Sequence, residues 1–248
     1  MENNLTDRDF WKAFWESKKD LLFHIKSDYV FGDILGKLII ENSYKNAIEL
    51  GGFPGYYSIY LKKYKHIDTT LFDYYIHQGL INQLLEKNGL KEGDINIIEA
   101  DLFNYTPAEK YDMVLSFGLI EHFSDTKAII QTHLQFLRPG GTLFITLPNF
   151  TGVNGWIQRK FDLENYNKHN IASMNPAMLA ETCKQLGLKK VESYYHGRFT
   201  VWLENSEQKS NFAKTVTKAI WWAGKIATKI VPVESKALSP YIVLKAQL

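Results

Sequence analysis

Five apolar, β-rich runs recur along the first 150 residues of this 248-residue chain, at 46–51 (NAIELG), 66–73 (HIDTTLFD), 94–101 (DINIIEAD), 111–118 (YDMVLSFG) and 141–148 (GTLFITLP). Helix-length segments lie between them near 56–65, 75–88 and 124–137. Strand, helix and strand at this spacing demand right-handed crossovers, and therefore a parallel sheet. Two further strands are expected at 189–196 and 240–246, with helical segments at 175–186 and 208–231. Residues 7–44 are helical in pattern and carry Phe10, Trp11, Phe14 and Trp15. The expectation is a single α/β domain spanning 1–248. Within it, 1–45 forms a helical cap, 46–148 a ligand-binding core, 149–172 an acceptor-side segment and 208–231 an inserted amphipathic helix.

Composition narrows the class. A chain 45% hydrophobic can bury a full core. A net charge of +2 gives no reason to expect a nucleic-acid partner. A single cysteine, Cys183, excludes an internal disulfide and suits a reducing compartment, so a cytoplasmic location is expected. The opening MENNLTDRDFWKAFW lacks the apolar core of a signal peptide, and no run of 18 apolar residues occurs. No metal site is expected, and the oligomeric state stays open.

A doubly wound sheet binds its ligands beyond the carboxyl ends of its strands. Those ends are unusual here. The first run closes on Glu49-Leu50-Gly51-Gly52, the second on Asp73, the third on Asp101, and the fourth on Ser116-Phe117-Gly118. An acid closing three successive strands beside a glycine-rich turn points to a ligand more than to chance capping. Gly51, Gly52 and Gly55 permit a tight turn that a ligand can approach. A helix beginning near Pro54 would offer its N–H groups. Asp73 stands 18 residues after Gly55, where an acid meets ribose hydroxyls in nucleotide-binding βαβ units.

The dinucleotide fingerprint G-x-G-x-x-G is not met. Gly51-Gly52-Phe53-Pro54-Gly55 has Phe53 at the second glycine and lacks the third. A nicotinamide-dependent oxidoreductase is therefore disfavoured, and an adenosine-type ligand without phosphates fits better.

The stretch ELGGFPG resembles the E/D-x-G-x-G-x-G first motif of class I S-adenosylmethionine-dependent methyltransferases. The likeness continues through Asp73, Ala100-Asp101-Leu102, YDMVLSFGLIEHF (111–123) and LRPGGTLFITLPN (137–149), so residues 46–149 match in order. The resemblance implies a Rossmann-like fold, with a seven-stranded, mostly parallel sheet, an antiparallel last strand and helices on both faces. It implies S-adenosyl-L-methionine as cofactor. Gly51, Gly52 and Gly55 would hold the methionyl part, and Glu49 its amino group. Asp73 would bind the ribose, Asp101 and Leu102 the adenine, while Ser116 and Phe117 would lie near the methionyl end. Phe53 departs from the motif, and its side chain is expected to point into the helical cap.

Methyl transfer needs nucleophile, methyl and sulfur held in line, and a base if the nucleophile is a hydroxyl. His122 is the base candidate; its other reading is a structural histidine at a helix start, and Glu121 reads equally as a helix-start acid. The family builds its acceptor pocket from the cap and the segment after strand five, here NFTGVNGWIQRKFDLENYNKHN (149–170). Asn149, Arg159 and His169 are the substrate candidates, for a small-molecule or glycan-type acceptor. A solvated surface segment with an internal ion pair is the competing reading. A cofactor-binding protein without catalysis is the alternative function.

Residues 209–236 hold six lysines and one acid, Glu234, a net +5 against +2 for the whole chain. On a helix, Lys214, Lys218, Lys225 and Lys229 form one stripe, with Phe212, Val216, Ala219, Ile220, Ala223, Ile226 and Ile230 opposite. Trp221 and Trp222 flank the stripe. The segment reads either as a helix packed on its own sheet or as an interfacial helix on an anionic membrane.

Overall fold

The computed structural model describes residues 5–18, 20–230 and 233–248. The first four residues and Lys19 of the expected cap, and Val231 and Pro232 of the basic segment, lie outside the described residues. Seven strands form one sheet in the order β3-β2-β1-β4-β5-β7-β6, and the chain divides into two compact units.

One unit comprises Thr6–Phe117, Ala128–Phe144 and Gln247–Leu248. It holds α1 (Arg8–Ser17), α2 (Gly32–Asn42), β1 (Asn46–Leu50), α3 (Tyr56–Tyr60), β2 (Asp68–Asp73), α4 (Gln78–Lys87), β3 (Asn96–Glu99) and β4 (Tyr111–Phe117). It also holds most of α5 (Thr126–Leu134) and the first part of β5 (Leu137–Pro148). β1 pairs parallel with β2 and β4, and β2 with β3. The register sets Glu49 opposite Leu71 and Leu115, and Asp73 opposite Glu99. Both faces of β1 and β4 are covered, so Ala47, Ile48, Leu50, Met113, Val114 and Leu115 are all buried.

The other unit comprises Leu5, Gly118–Lys127 and Ile145–Ala246. It holds α6 (Val153–Phe161), α7 (Leu163–Asn167), α8 (Pro176–Gln185), β6 (Lys189–His196), α9 (Asn211–Ile230) and most of β7 (Tyr241–Gln247). β7 runs antiparallel to β5: Asn149 N–H donates to Pro240 O, while Gly140 N–H donates to Leu248 O. The expected strands all form.

Two expectations are corrected. The cap is not helical throughout, because residues 20–31 are irregular between α1 and α2. The side chain of Asn88 holds that stretch in place of helix bonds, accepting from Ile25 N–H at 2.8 Å and donating to Phe23 O at 3.1 Å. The helix expected over 56–65 is α only to Tyr60 and continues as a π turn over Leu61–Lys65. No helix among the described residues is long and apolar enough to cross a membrane.

Candidate functional site

The glycine turn after β1 is built around two buried carboxylates. Gly51 (φ +61°) and Gly55 (φ +94°) occupy left-handed backbone, which side chains disfavour. Gly52 has a different constraint: a Cβ there would lie 2.5 Å from Glu49 Cδ. The Phe53 ring turns into the cap, 5.2 Å from Trp15 and 6.0 Å from Tyr75.

Asp73 closes β2 and reaches across to the turn. Its Oδ2 accepts from Phe53 N–H at 2.9 Å, and its Oδ1 from Tyr75 N–H at 3.1 Å. Burial raises its pKa to about 6, against the lowering effect of these bonds. Glu49 Oε2 accepts from Ser58 N–H at 2.7 Å and from Ser58 Oγ at 2.6 Å. Burial raises Glu49 to about 7. Glu49 thereby occupies an N–H of the first turn of α3, which the sequence predicts to be open to a ligand.

Asp101 is half-buried and organises its own loop, accepting from Phe103 N–H at 3.0 Å and Asn104 Nδ2 at 2.7 Å. Leu102 beside it is buried. Phe117 stacks on Tyr57, with centroids 3.4 Å apart. Ser116 corrects an expectation: it is fully buried and its hydroxyl lies 2.9 Å from His133 Nε2. His133 Nδ1 faces Ile129 O at 2.7 Å, so Nδ1 carries the hydrogen and Nε2 accepts from Ser116. Neighbouring strand residues point to opposite sides, so Phe117 and Ser116 cannot both serve one ligand with their side chains.

In the other unit, Glu121 and His122 follow β4 in a short 3-10 turn and are both buried. His122 Nδ1 lies 3.1 Å from Lys168 O, and His169 Nδ1 lies 2.7 Å from Asn165 O. The two rings are 4.7 Å apart. Burial, with His169 beside it, pushes His122 down to about 3, and burial lowers His169 too. Burial lifts Glu121 to about 8. An imidazole held so far below neutrality is a poor proton acceptor, which argues against the base role expected for His122. The convergence of His169 on Glu121 and His122 was not legible, because His169 lies 47 positions after His122 and no spacing motif links them.

Asn149 also departs from expectation. It is fully buried, and its amide donates to Lys236 O and Ser239 O, each at 2.8 Å, and accepts from Thr151. It ties β5 to the approach of β7, which leaves no part of its amide for an acceptor. Arg159 is exposed on α6. The ion pair inside the 149–170 segment is Lys168–Glu164 at 2.7 Å, while Asp162 pairs outside it, with Lys209 at 2.6 Å.

α9 packs by one face only. Ala213 belongs to a cluster with Ile157, Phe199, Val201 and Leu203, and Ile220 and Trp221 pack against it. Its other face leaves Phe212, Trp222, Ile226 and Ile230 between 55% and 75% exposed.

The turn suits a cofactor that is cationic and carries vicinal hydroxyls. Its polar groups are two buried carboxylates, which match an ammonium and a ribose and would repel phosphates. The absence of a side chain at Gly52 keeps the backbone beside Glu49 open.

Comparison with known proteins agrees. The methyltransferase-domain family matches residues 26–193. A malonyl-(acyl-carrier protein) O-methyltransferase 2 from Ilyobacter polytropus is 30% identical over 117 residues, which are 46% of this chain and 44% of that protein. The match therefore spans less than half the length of this curated relative. Among solved structures, a SAM-dependent methyltransferase from Archaeoglobus fulgidus superposes with a TM-score of 0.53 at 15% identity, over 87% of this chain and 94% of that one. A Haemonchus contortus phosphoethanolamine N-methyltransferase 2, in complex with S-adenosyl-L-methionine, gives 0.57 at 16% identity, over 87% of this chain and 52% of that one. These two likenesses show the fold, and the family match covers more than half of the chain: it belongs to the class I S-adenosylmethionine-dependent methyltransferases.

Proposed function

We propose that the protein transfers a methyl group from S-adenosylmethionine to a small-molecule or glycan-type acceptor. The observation that carries the reading is the bond from the glycine turn to the acid of the next strand, Phe53 N–H to Asp73 Oδ2, with Glu49 beneath the same turn.

The cofactor supplies an electrophilic methyl on a sulfonium. Asp73 would hold the ribose hydroxyls through the accepting capacity its backbone bonds leave. Glu49 would accept from the ammonium through Oε1. Leu102 and the Asp101 loop would border the adenine, and Phe117 the methionyl end. These residues bind and orient; the displacement asks for alignment, for which the carboxyl ends of the strands provide a rigid base. His169 and Arg159 remain the acceptor-side candidates. A cytoplasmic location fits the lone, buried Cys183. The exposed apolar stripe of α9, flanked by lysines, favours contact with an anionic membrane surface and hence a lipid-linked or membrane-proximal acceptor.

The test is calorimetric binding of S-adenosylmethionine against NAD, followed by transfer of a labelled methyl across a panel of hydroxylated small molecules, glycans and lipid-linked sugars. Tight binding of the first ligand and turnover on one class are expected. Binding with no turnover on any class would leave a non-catalytic binder, and preference for NAD would overturn the reading.

A further inference from the structure

We propose that Glu121, His122 and His169 form a binding site for a divalent metal ion of the kind that takes imidazole and carboxylate ligands, such as Zn2+, Mn2+ or Fe2+. Each side chain offers one ligand atom, and the three atoms lie within 4.8 Å of one another. Ligands at about 2.1 Å from one ion sit roughly 3.0–4.2 Å apart. The three atoms therefore already lie close to that spacing.

Two independent observations point to a cation. First, Glu121 is 1% exposed, and its Oε2 has no hydrogen-bond partner among the described residues. A buried, unsatisfied carboxylate oxygen is costly, and a packed pair of tilted histidine rings gives no account of it. Second, both imidazoles present Nδ1 to a backbone carbonyl, that of Lys168 for His122 and that of Asn165 for His169. A carbonyl can only accept, so Nδ1 carries the hydrogen in each ring and Nε2 the lone pair. Proteins orient metal-ligating histidines by this outer hydrogen bond.

The frame behind the three side chains is tied together. Asn170 N–H donates to Glu121 O at 2.6 Å, and its amide donates to Phe123 O at 3.0 Å. The segment that carries His169 is thereby bonded to the one that carries Glu121 and His122, within a single compact unit.

Three protein ligands leave positions open on the ion. The site is argued from these three side chains alone and does not rest on the methyl-transfer reading.

The experiment uses the full chain, stripped with a chelator. Mn2+ is titrated in and followed by electron paramagnetic resonance, and Zn2+ is measured by competition with a chromophoric chelator. One ion per chain is expected, with Glu121→Gln and His169→Gln each weakening binding on the order of 100-fold. S-adenosylmethionine binding serves as the folding control, and the isosteric Glu121→Gln decides the question should a histidine variant fail to fold. Substoichiometric binding of both ions, or affinity unchanged in Glu121→Gln, would overturn the site. If metal binds and S-adenosylmethionine does not, the methyl-transfer reading fails and the site stands.

Discussion

Asp73 Oδ2 accepts a hydrogen bond from the backbone N–H of Phe53 at 2.9 Å, which joins the end of one strand to the glycine turn of its neighbour. The acid therefore supports the turn. Asp73→Ala should weaken S-adenosylmethionine binding by on the order of 2–4 kcal/mol, from two lost charge-assisted hydrogen bonds. Calorimetry on a variant with unchanged circular dichroism checks this. Wild-type affinity in a folded Asp73→Ala protein would remove Asp73 from the cofactor site.

Glu49 predicts how stability depends on pH. Burial raises its pKa from the ordinary 4.5 to about 7, against the hydrogen bonds from Ser58. A carboxyl whose folded-state pKa is raised holds its proton more tightly in the fold. Its stabilisation is therefore complete below about pH 4.5 and lost as pH rises through about 7. Asp73, raised to about 6, acts in the same sense. The contribution of Glu49 to the stability of the unliganded protein should fall between about pH 4.5 and 7, at roughly 1.4 kcal/mol per pH unit for a fully displaced proton. The buried His122 and His133, lowered to about 3 and about 4, act in the opposite sense below about pH 6.5, so the difference between wild type and Glu49→Gln isolates it. Glu49→Gln should flatten that slope in urea unfolding at the two pH values. An unaltered slope would show that Glu49 is not the group responsible.

The fold was legible because parallel strands announce themselves as short apolar runs, and the five runs of the first 150 residues all formed strands, as did the two further segments that became β6 and the antiparallel β7. The acids at strand ends were legible for a related reason: Glu49 and Asp73 interrupt buried strands, which a plain core does not ask for. What escaped was side-chain direction and long-range convergence. Ser116 sits in the right motif, but the strand's alternation turns it onto His133. Asn149 follows β5 directly, yet its amide is consumed by the chain leading into β7. Both outcomes depend on partners distant in sequence, as does the meeting of His169 with Glu121 and His122. The basic helix was half legible. Its amphipathicity was plain, but only packing could reveal that Ala213 and Trp221 face inward while Phe212 and Ile226 do not.

Asp101 separates recognition from loop architecture. Both its oxygens already accept from its own loop, at Phe103 N–H and Asn104 Nδ2. Each keeps a second lone pair, which can accept from an adenine N6 amino group and cannot pair with a keto oxygen. The deaminated cofactor analogue should therefore bind on the order of tenfold more weakly or worse, from one lost hydrogen bond and one repulsive contact. Equal affinity for the two ligands, measured side by side by calorimetry, would confine Asp101 to holding the loop.

The outer face of α9 predicts attachment to anionic membranes. Phe212, Trp222, Ile226 and Ile230 recur at spacings that place them on one side of the helix, and all four are exposed. Lys218 and Lys229 stand exposed beside them. Lys214 and Lys225 are engaged locally, the first donating to Glu207 O at 3.1 Å and the second lying 5.4 Å over the Trp221 ring. The lysine stripe expected from the sequence thus divides, and Lys218 and Lys229 carry the electrostatic expectation, at about 1 kcal/mol each near an anionic bilayer. The apolar stripe should contribute insertion that salt does not abolish. Co-sedimentation with phosphatidylglycerol and phosphatidylcholine vesicles at low salt tests both parts. The wild type should prefer the anionic vesicles, Lys218→Glu with Lys229→Glu should erase the preference, and Trp222→Ser with Ile226→Ser should lower binding to either lipid. These substitutions lie on the face that does not pack, so the fold should survive them. Equal recovery of wild type and all variants with both lipids would leave α9 as a packed helix with an exposed apolar face and no membrane role.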